Sequence, residues 1–434
     1  VVRPANARRP MISSVHATEN LVFSVLLQLI VMIAAARLLH VAARKLGQPG
    51  AVGEIVAGLL LGPSLLGWLA PHFSVAVFGA KPSPAITILS QLGLTLLMFQ
   101  IGAEFEFAHL KEKTARRAAT WIALASLTVP FMLGLAIGHY SQPRLAPAID
   151  RTVYSLFIGV AMAITALPIL GRILVQFDLQ RHKLGVVAIA AAAVNDVVGW
   201  LLLAVVSALA AAQLSWGASV IQVGGLVLLI LVARFALAPL TGWLVRKFPV
   251  KDGVLSPNLM AIVLCGIFAL AICTFALGIF AIFGGFLGGL LFHRHLDFVA
   301  AWRRQVGGFV LVFFLPIFFT FTGLRTNLLG LTGDIDWLAI VLAASILGKI
   351  VPVYIAARAS GFSNDESMTL GALMNTRALM ELIVLNVGYD LGFLPPSIFA
   401  MLVLMAVVTT LMTGPLLQRL LPRLGHKVGA GIEA

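Results

Sequence analysis

The sequence predicts an all-α polytopic membrane protein of about thirteen transmembrane helices, and three observations predict it. Of the 434 residues, 60% are hydrophobic and only 11% are charged, where a soluble domain carries about 25% charged residues. The mean hydropathy is +1.02, and the apolar residues come in runs of roughly 20, the length that crosses about 30 Å of hydrocarbon. The basic residues gather in short loops between those runs, where they set topology. A net charge of +13 would suggest nucleic acid in a soluble chain; here it does not, and no nucleic-acid partner is expected.

The spans fall near 20–42, 51–70, 86–106, 118–140, 152–175, 184–211, 216–245, 257–276, 279–294, 306–324, 337–359, 365–390 and 397–420. The eighth and ninth are joined only by Ala276-Leu277-Gly278, so a single long helix is the alternative there. With the N-terminus outside, alternate loops hold most of the basic residues, among them Lys111, Lys113, Arg116 and Arg117 in one and Arg246, Lys247 and Lys251 in another. That asymmetry fits an odd span count with a cytoplasmic C-terminus. Arg37, Arg234, Lys349 and Arg377 stay at membrane depth. The run after Arg8-Arg9 continues to about Val41 without a convincing cleavage site, so it reads as the first span and not a leader. The expected organisation is a polar tail over 1–19, one transmembrane domain over 20–421 and a short cytoplasmic tail over 422–434, with any regulatory nucleotide-binding domain on another chain or absent. Cys265 and Cys273 share one apolar run, about 12 Å apart along a helix, too far for a disulfide; they read as small core residues.

Ionisable residues inside a bilayer are costly, so each is a functional candidate. Asp196, in Ala193-Val194-Asn195-Asp196-Val197, sits about 12 residues from either end of its span, with no basic residue in the span to pair with it. A lone carboxylate there takes a proton through desolvation alone; a dehydrated cation, or a lysine from another helix, favours the charged form. A group balanced between those states binds either a proton or a cation, which is what an exchanger needs. The other reading is a purely structural aspartate. Asn195 offers a carbonyl oxygen, the ligand type hard cations prefer, or a helix–helix hydrogen bond.

Thr165 and Pro168 mark an interruption in the fifth span. Pro168 removes a backbone donor and frees the Ile164 carbonyl; freed carbonyls beside a hydroxyl coordinate ions in transporters, while an ordinary proline kink is the alternative. Lys349, mid-span, is too deep to snorkel, and Asp196 is its expected partner. Arg377 and Glu381 are spaced to meet on one helix face, as a structural pair or in coupling. They lie beside a second polar interruption, Asn375-Thr376-Arg377, in the twelfth span. Interruptions at matching places in two inverted halves point to an ion site. Glu54 is expected to cap or pair near the start of the second span. His293 and His295 do not converge on a helix and read as polar loop, and Gly284, Gly285, Gly288 and Gly289 as a close-packing face.

Several motifs together resemble the monovalent cation:proton antiporter-2 family. They are Gly47-Gln48-Pro49, Gly53-Glu54-Ile55-Val56-Ala57-Gly58, Leu61-Gly62-Pro63, Phe283-Gly284-Gly285-Phe286-Leu287-Gly288-Gly289 and Pro316-Ile317-Phe318-Phe319. The run Asn375-Thr376-Arg377-Ala378-Leu379-Met380-Glu381-Leu382-Ile383-Val384-Leu385-Asn386 is similar to that of yeast and plant potassium/proton exchangers and their bacterial relatives. The resemblance covers about residues 20–420. It implies a sodium/proton antiporter-like fold of thirteen helices, with inverted repeats and two crossed broken helices. It also implies a homodimer in the lipid bilayer of a bacterial inner membrane and elevator-like movement of a core domain. Asp196 matches the family's essential aspartate, Thr165 and Pro168 its crossed region, and Lys349 its core lysine. Many electrogenic members have two adjacent aspartates where this chain has Asn195-Asp196, the pattern of the electroneutral sister family.

The resulting expectation is exchange of Na+ or K+ for protons, electroneutral, with no cofactor and no metal beyond the transported cation. The alternatives are a gated potassium efflux pathway, although no Thr-Val-Gly-Tyr-Gly filter occurs, and export of another solute on the same fold. An enzyme is not expected, because neither His-Glu-x-x-His nor Gly-x-Ser-x-Gly is present.

Overall fold

Apart from one isolated bridge between Lys251 and Val254, every regular element among the described residues is helical. The computed structural model describes residues 9–79, 83–104, 113–179, 182–211, 224–225, 227–277 and 280–425. The first half runs α1 (Arg9–Lys45), α2 (Gly50–Leu61), α3 (Leu66–Leu69), α4 (Pro71–Phe78), α5 (Pro84–Ala103), α6 (Lys113–Leu145), α7 (Arg151–Ala163), α8 (Leu167–Gln176) and α9 (Lys183–Ala211). The chain continues with α10 (Val227–Lys247), α11 (Pro257–Ala276), α12 (Ala281–Phe292), α13 (Leu296–Trp302) and α14 (Leu315–Leu324). It closes with α15 (Ile335–Ala359), α16 (Asn364–Met374), α17 (Leu379–Asp390) and α18 (Pro396–Leu420).

Among the described residues, 12 segments are long and apolar enough to cross a membrane. The expected ninth span is shorter than that: α12 has 12 residues, about 18 Å of rise against roughly 30 Å of hydrocarbon. It does not fuse with α11, because Phe280 is extended at φ −65° and ψ 146°. The polar stretch before residue 20 is helical from Arg9 onward and continues into the first span.

Helix starts follow local chemistry. The Ser83 and Ser256 hydroxyls accept from the Ile86 and Leu259 amides, and Pro84 and Pro257 follow each cap, where a missing N–H costs nothing. Ser363 and Glu366 close a reciprocal capping box on α16. Where helices touch most closely, glycine permits it. A Cβ on Gly58 would collide with the Phe319 carbonyl, and one on Gly323 with the Gly58 carbonyl, so α2 and α14 approach backbone to backbone. The glycine face of α12 lies on α5 in the same way, Gly285 against Thr95 and Gly289 against Phe99.

Burial grades from the outside inward. In Glu19–Lys45 and Val227–Lys247 only 17% and 11% of the apolar window is buried, whereas in Arg151–Gln176 and Asn364–Asp390 it is 83% and 94%. The two interrupted helices are therefore the most buried of the spans, and Glu19–Lys45 and Val227–Lys247 the most exposed. Cys265 and Cys273 are unbridged, but they lie exposed on α11 and not in the core.

Candidate functional site

Both central helices are broken. The first break separates α7 from α8: Ile164 (φ −65°, ψ 143°) and Ala166 (φ −88°, ψ 93°) are extended. Pro168 falls in the first turn of α8, so it starts a helix and does not kink one, and the break precedes it. The second break runs from Asn375 to Ala378, between α16 and α17. Ala378 has φ 72° and ψ −114°, costly for a residue with a Cβ. The breaks cross and are tied by their backbones: the Ala166 amide donates to the Thr376 carbonyl at 3.1 Å. The Thr165 hydroxyl reaches the Met374 carbonyl at 3.5 Å.

A helix that stops inside a membrane leaves carbonyls at one end and amides at the other, with the partial charges of its dipole. Buried charges sit at those ends. Lys349, from α15, donates to the Ala163 carbonyl at 2.5 Å, the Ser126 carbonyl at 2.6 Å and the Thr165 hydroxyl at 2.8 Å. Arg377 donates to the Ala161 carbonyl at 3.2 Å. Both cations therefore cap the negative C-terminus of α7. Glu381 occupies the first turn of α17, at its positive N-terminus. Asp196, on α9, is approached by the Leu167 amide at the start of α8, although not in hydrogen-bond geometry.

Asp196 is fully buried and neither carboxylate oxygen has a hydrogen-bond partner among the described residues. The expected ion pair with Lys349 is not made, because the ammonium spends all three N–H groups on the three oxygens named above. Asn195 uses its amide nitrogen on Ser126 Oγ at 2.6 Å and Thr165 Oγ1 at 3.3 Å, leaving Oδ1 buried and unpartnered. Thr165 Oγ1 thus accepts from both Lys349 and Asn195, so its lone pairs are occupied. It joins the break to α9 and α15 and offers no free ligand here.

Arg377 and Glu381 do form a pair, at 3.7 Å and wholly buried. They are not on one helix face as expected, because Arg377 lies in the break, ahead of α17. Glu54, near the start of α2, pairs with α1 instead of capping: His40 Nδ1 lies 2.8 Å from its carboxylate and Arg37 lies 3.7 Å away. Ser126 was not singled out from the sequence. A serine in the apolar run of α6 looks like a helix-face hydroxyl, and its polarity at mid-span was the only signal.

The family described as sodium/hydrogen exchanger, transmembrane, matches residues 29–423. The Na(+)/H(+) antiporter NhaS4 of Synechocystis is 36% identical over 414 residues, covering 94% of this chain and 99% of that protein. Cation/H(+) antiporter 18 of Arabidopsis thaliana is 35% identical over 91% of this chain. K(+)/H(+) antiporter 1 of Saccharomyces cerevisiae is 30% identical over 92% of it. The chain spans about half the length of those last two relatives, 48% and 46%. The sodium proton antiporter MjNhaP1 of Methanocaldococcus jannaschii has the same fold, with a TM-score of 0.64 at 18% identity, over 94% of this chain and 99% of that one.

Proposed function

The chain belongs to the sodium/hydrogen exchanger transmembrane family, a family of transporters and not of enzymes, and we propose that it exchanges Na+ or K+ for protons, with Asp196 as the site both ions share. The observation that carries this reading is the pair of buried, unpartnered oxygens on Asp196. An ionised carboxylate with no partner costs several kcal/mol in such surroundings. It therefore holds either a proton or a cation, and the two compete for it. Asn195 Oδ1 is the nearest additional oxygen in sequence without a partner.

The charge balance follows from the same geometry. Asp196 with a proton and Asp196 with an alkali cation give the core the same net charge. The three oxygens around Lys349 support an ammonium that keeps its proton through the cycle, so exchange is one-for-one and electroneutral. The exchanger domain is residues 20–421, acting as a homodimer in a bacterial inner membrane, N-terminus outside and C-terminus in the cytoplasm. The basic-residue asymmetry supports that orientation. The core that carries both breaks moves against the outer helices in an elevator-type cycle; the contrast in burial between the two sets supports this division.

The test is fluorescence-dequenching exchange in proteoliposomes with Na+, K+ and Rb+ in turn, under a valinomycin-clamped potential. Each 100 mV acts on a moving charge with about 2.3 kcal/mol, so the two stoichiometries separate. Saturable exchange whose rate ignores the clamped potential is expected. A voltage-driven current overturns electroneutrality, and flux without a counter-gradient overturns exchange itself.

A further inference from the structure

On the outer face of the molecule, α10 and α12 leave a groove of about 630 Å³ that has no part in the exchange site. It extends along α10 from Ile230 to Arg246, about 24 Å at 1.5 Å per residue. That is close to the depth of one leaflet with its headgroups, about half of 40–45 Å. Its walls are aliphatic, as at Leu287, and its polar lining is Arg234, Arg246, His293, Arg294 and His295.

Two features of the groove are unusual. The first is the charge: three arginines and two histidines line it and no carboxylate does. None of Arg234, Arg246 and Arg294 is in a salt bridge with any described carboxylate. Asp297, the nearest acid in sequence, is exposed and lies outside the lining. The second is local backbone. Pro239 lacks an N–H, and the helix ahead of it loosens into a π turn over Ala233–Leu237, in which Ala238 bonds back to Ala233. Turns of this kind concentrate at functional positions, and this one carries Arg234. Arg234 is exposed within the α10 span, and among the described residues its one cation–π neighbour is the Phe235 ring, 5.8 Å away.

We propose that this groove is a binding site for an anionic phospholipid, with the phosphate among Arg246, Arg294 and His295 and an acyl chain along the aliphatic wall toward Arg234. Charge complementarity selects the occupant. A second copy meeting this face about a two-fold axis would bring the same arginines against these, so it needs an anion between the copies. The electrostatics at the mouth agree. Burial lowers the affinity of the His295 ring for a proton, and His293 and Arg246 beside it lower it further, which marks a positive field that a phosphate relieves.

The test uses the full chain in detergent. Its thermal unfolding is followed with palmitoyl-oleoyl phosphatidylglycerol or the matching phosphatidylcholine added at equal mole fraction, and retained lipid is counted by native mass spectrometry. Phosphatidylglycerol is expected to raise Tm by about 3 °C or more and to stay bound, while phosphatidylcholine does neither. The variant Arg234→Gln/Arg246→Gln/Arg294→Gln loses both effects. Lys45→Gln/Arg419→Gln, which removes charge elsewhere, keeps them. Should the triple variant misfold, Arg294→Gln alone, exposed at the groove mouth, gives the same comparison. Equal shifts from both lipids, an undiminished shift in the groove variant or an equal loss in the control variant overturn the proposal. So does phosphatidylglycerol leaving Tm unchanged while the triple variant alters the monomer–dimer balance, the mark of a second copy in the groove.

Discussion

Replacing Asp196 with asparagine keeps the shape of the side chain and removes the one feature the exchange proposal needs. A unit charge attracts a monovalent cation 4 Å away by about 4 kcal/mol at an effective dielectric constant of 20. Since 1.4 kcal/mol is a factor of ten, Asp196→Asn is expected to weaken cation affinity roughly 10³-fold. In proteoliposomes its initial exchange rate then falls to that of empty vesicles with every alkali cation. The second readout is stability. A cation at about one hundred times its Kd adds about 2.7 kcal/mol to a folded state that binds it, so saturating Na+ or K+ raises the wild-type Tm by a few degrees. The variant loses this shift. Its Tm without cation is no lower than that of wild type, because the carboxylate oxygen it replaces had no hydrogen-bond partner among the described residues. Full-speed exchange in the variant, or an undiminished cation-induced shift, refutes the shared-site argument. Lost exchange together with a collapsed Tm refutes it too, since that marks Asp196 as a structural aspartate.

Lys349→Met removes the ammonium from the Ser126, Ala163 and Thr165 oxygens. Exchange is expected to slow while remaining insensitive to a clamped potential, and a change in voltage dependence would show that the lysine proton takes part in the cycle. Gly58→Val drives a side chain into the Phe319 carbonyl, where overpacking costs about 1–3 kcal/mol or more. Size-exclusion chromatography should show loss of the monodisperse peak, and a wild-type Tm would contradict the close approach of α2 to α14. His295 binds a proton less readily folded than unfolded, so acidification below about 6.5, its unfolded value, favours the unfolded state. Lipid-free protein therefore loses Tm as pH falls through that range, while His295→Gln and phosphatidylglycerol-loaded protein lose less. Identical pH profiles for all three contradict this.

What the sequence made legible were depth and polarity. Asp196, Asn195 and Lys349 stand out because a bilayer makes every mid-span polar group conspicuous, and all three are buried at the centre. Partners were less legible, because a partner depends on which helices touch. Lys349 looked like a counterion for Asp196, yet the Ala163 carbonyl at the end of α7, the Ser126 carbonyl of α6 and the Thr165 hydroxyl hold it, and the first of these is free only because the helix stops at Ala163. Pro168 marked the interruption, but not on which side of it the helix stops, since a proline near an interruption can end one helix or begin the next. Nothing local announces the positive φ of Ala378, so Arg377 and Glu381 looked like neighbours on one helix. The contact between Ala166 and Thr376 joins residues about two hundred positions apart, beyond any local pattern. The expected span near 279–294 contains α12 over Ala281–Phe292, because an apolar run shows where a helix lies more clearly than where it ends.

The four buried charges are better explained by the helix ends than by one another, and a charge swap separates the two accounts. If Arg377 and Glu381 matter as an ion pair, Arg377→Glu/Glu381→Arg preserves the pair and should behave much like wild type. If each answers the helix end it faces, the swap places a carboxylate against the Ala161 carbonyl of α7 and a guanidinium on the N-terminal amides of α17. A charge at a partly buried helix end is worth up to about 2 kcal/mol, so reversing it costs roughly twice that at each position. The single variants Arg377→Gln and Glu381→Gln each leave the other charge buried without its partner, which costs about 3–5 kcal/mol. The double swap is therefore expected to be at least as unstable as either single variant, with no recovery of exchange. Recovery of both Tm and exchange in the swapped protein would mean that pairing alone suffices and that the dipoles of the broken helices do not position these charges. Asp196 likewise faces a helix start, that of α8, which offers it a positive end and no hydrogen bond, so in the proposed cycle a cation meets no competing ligand there.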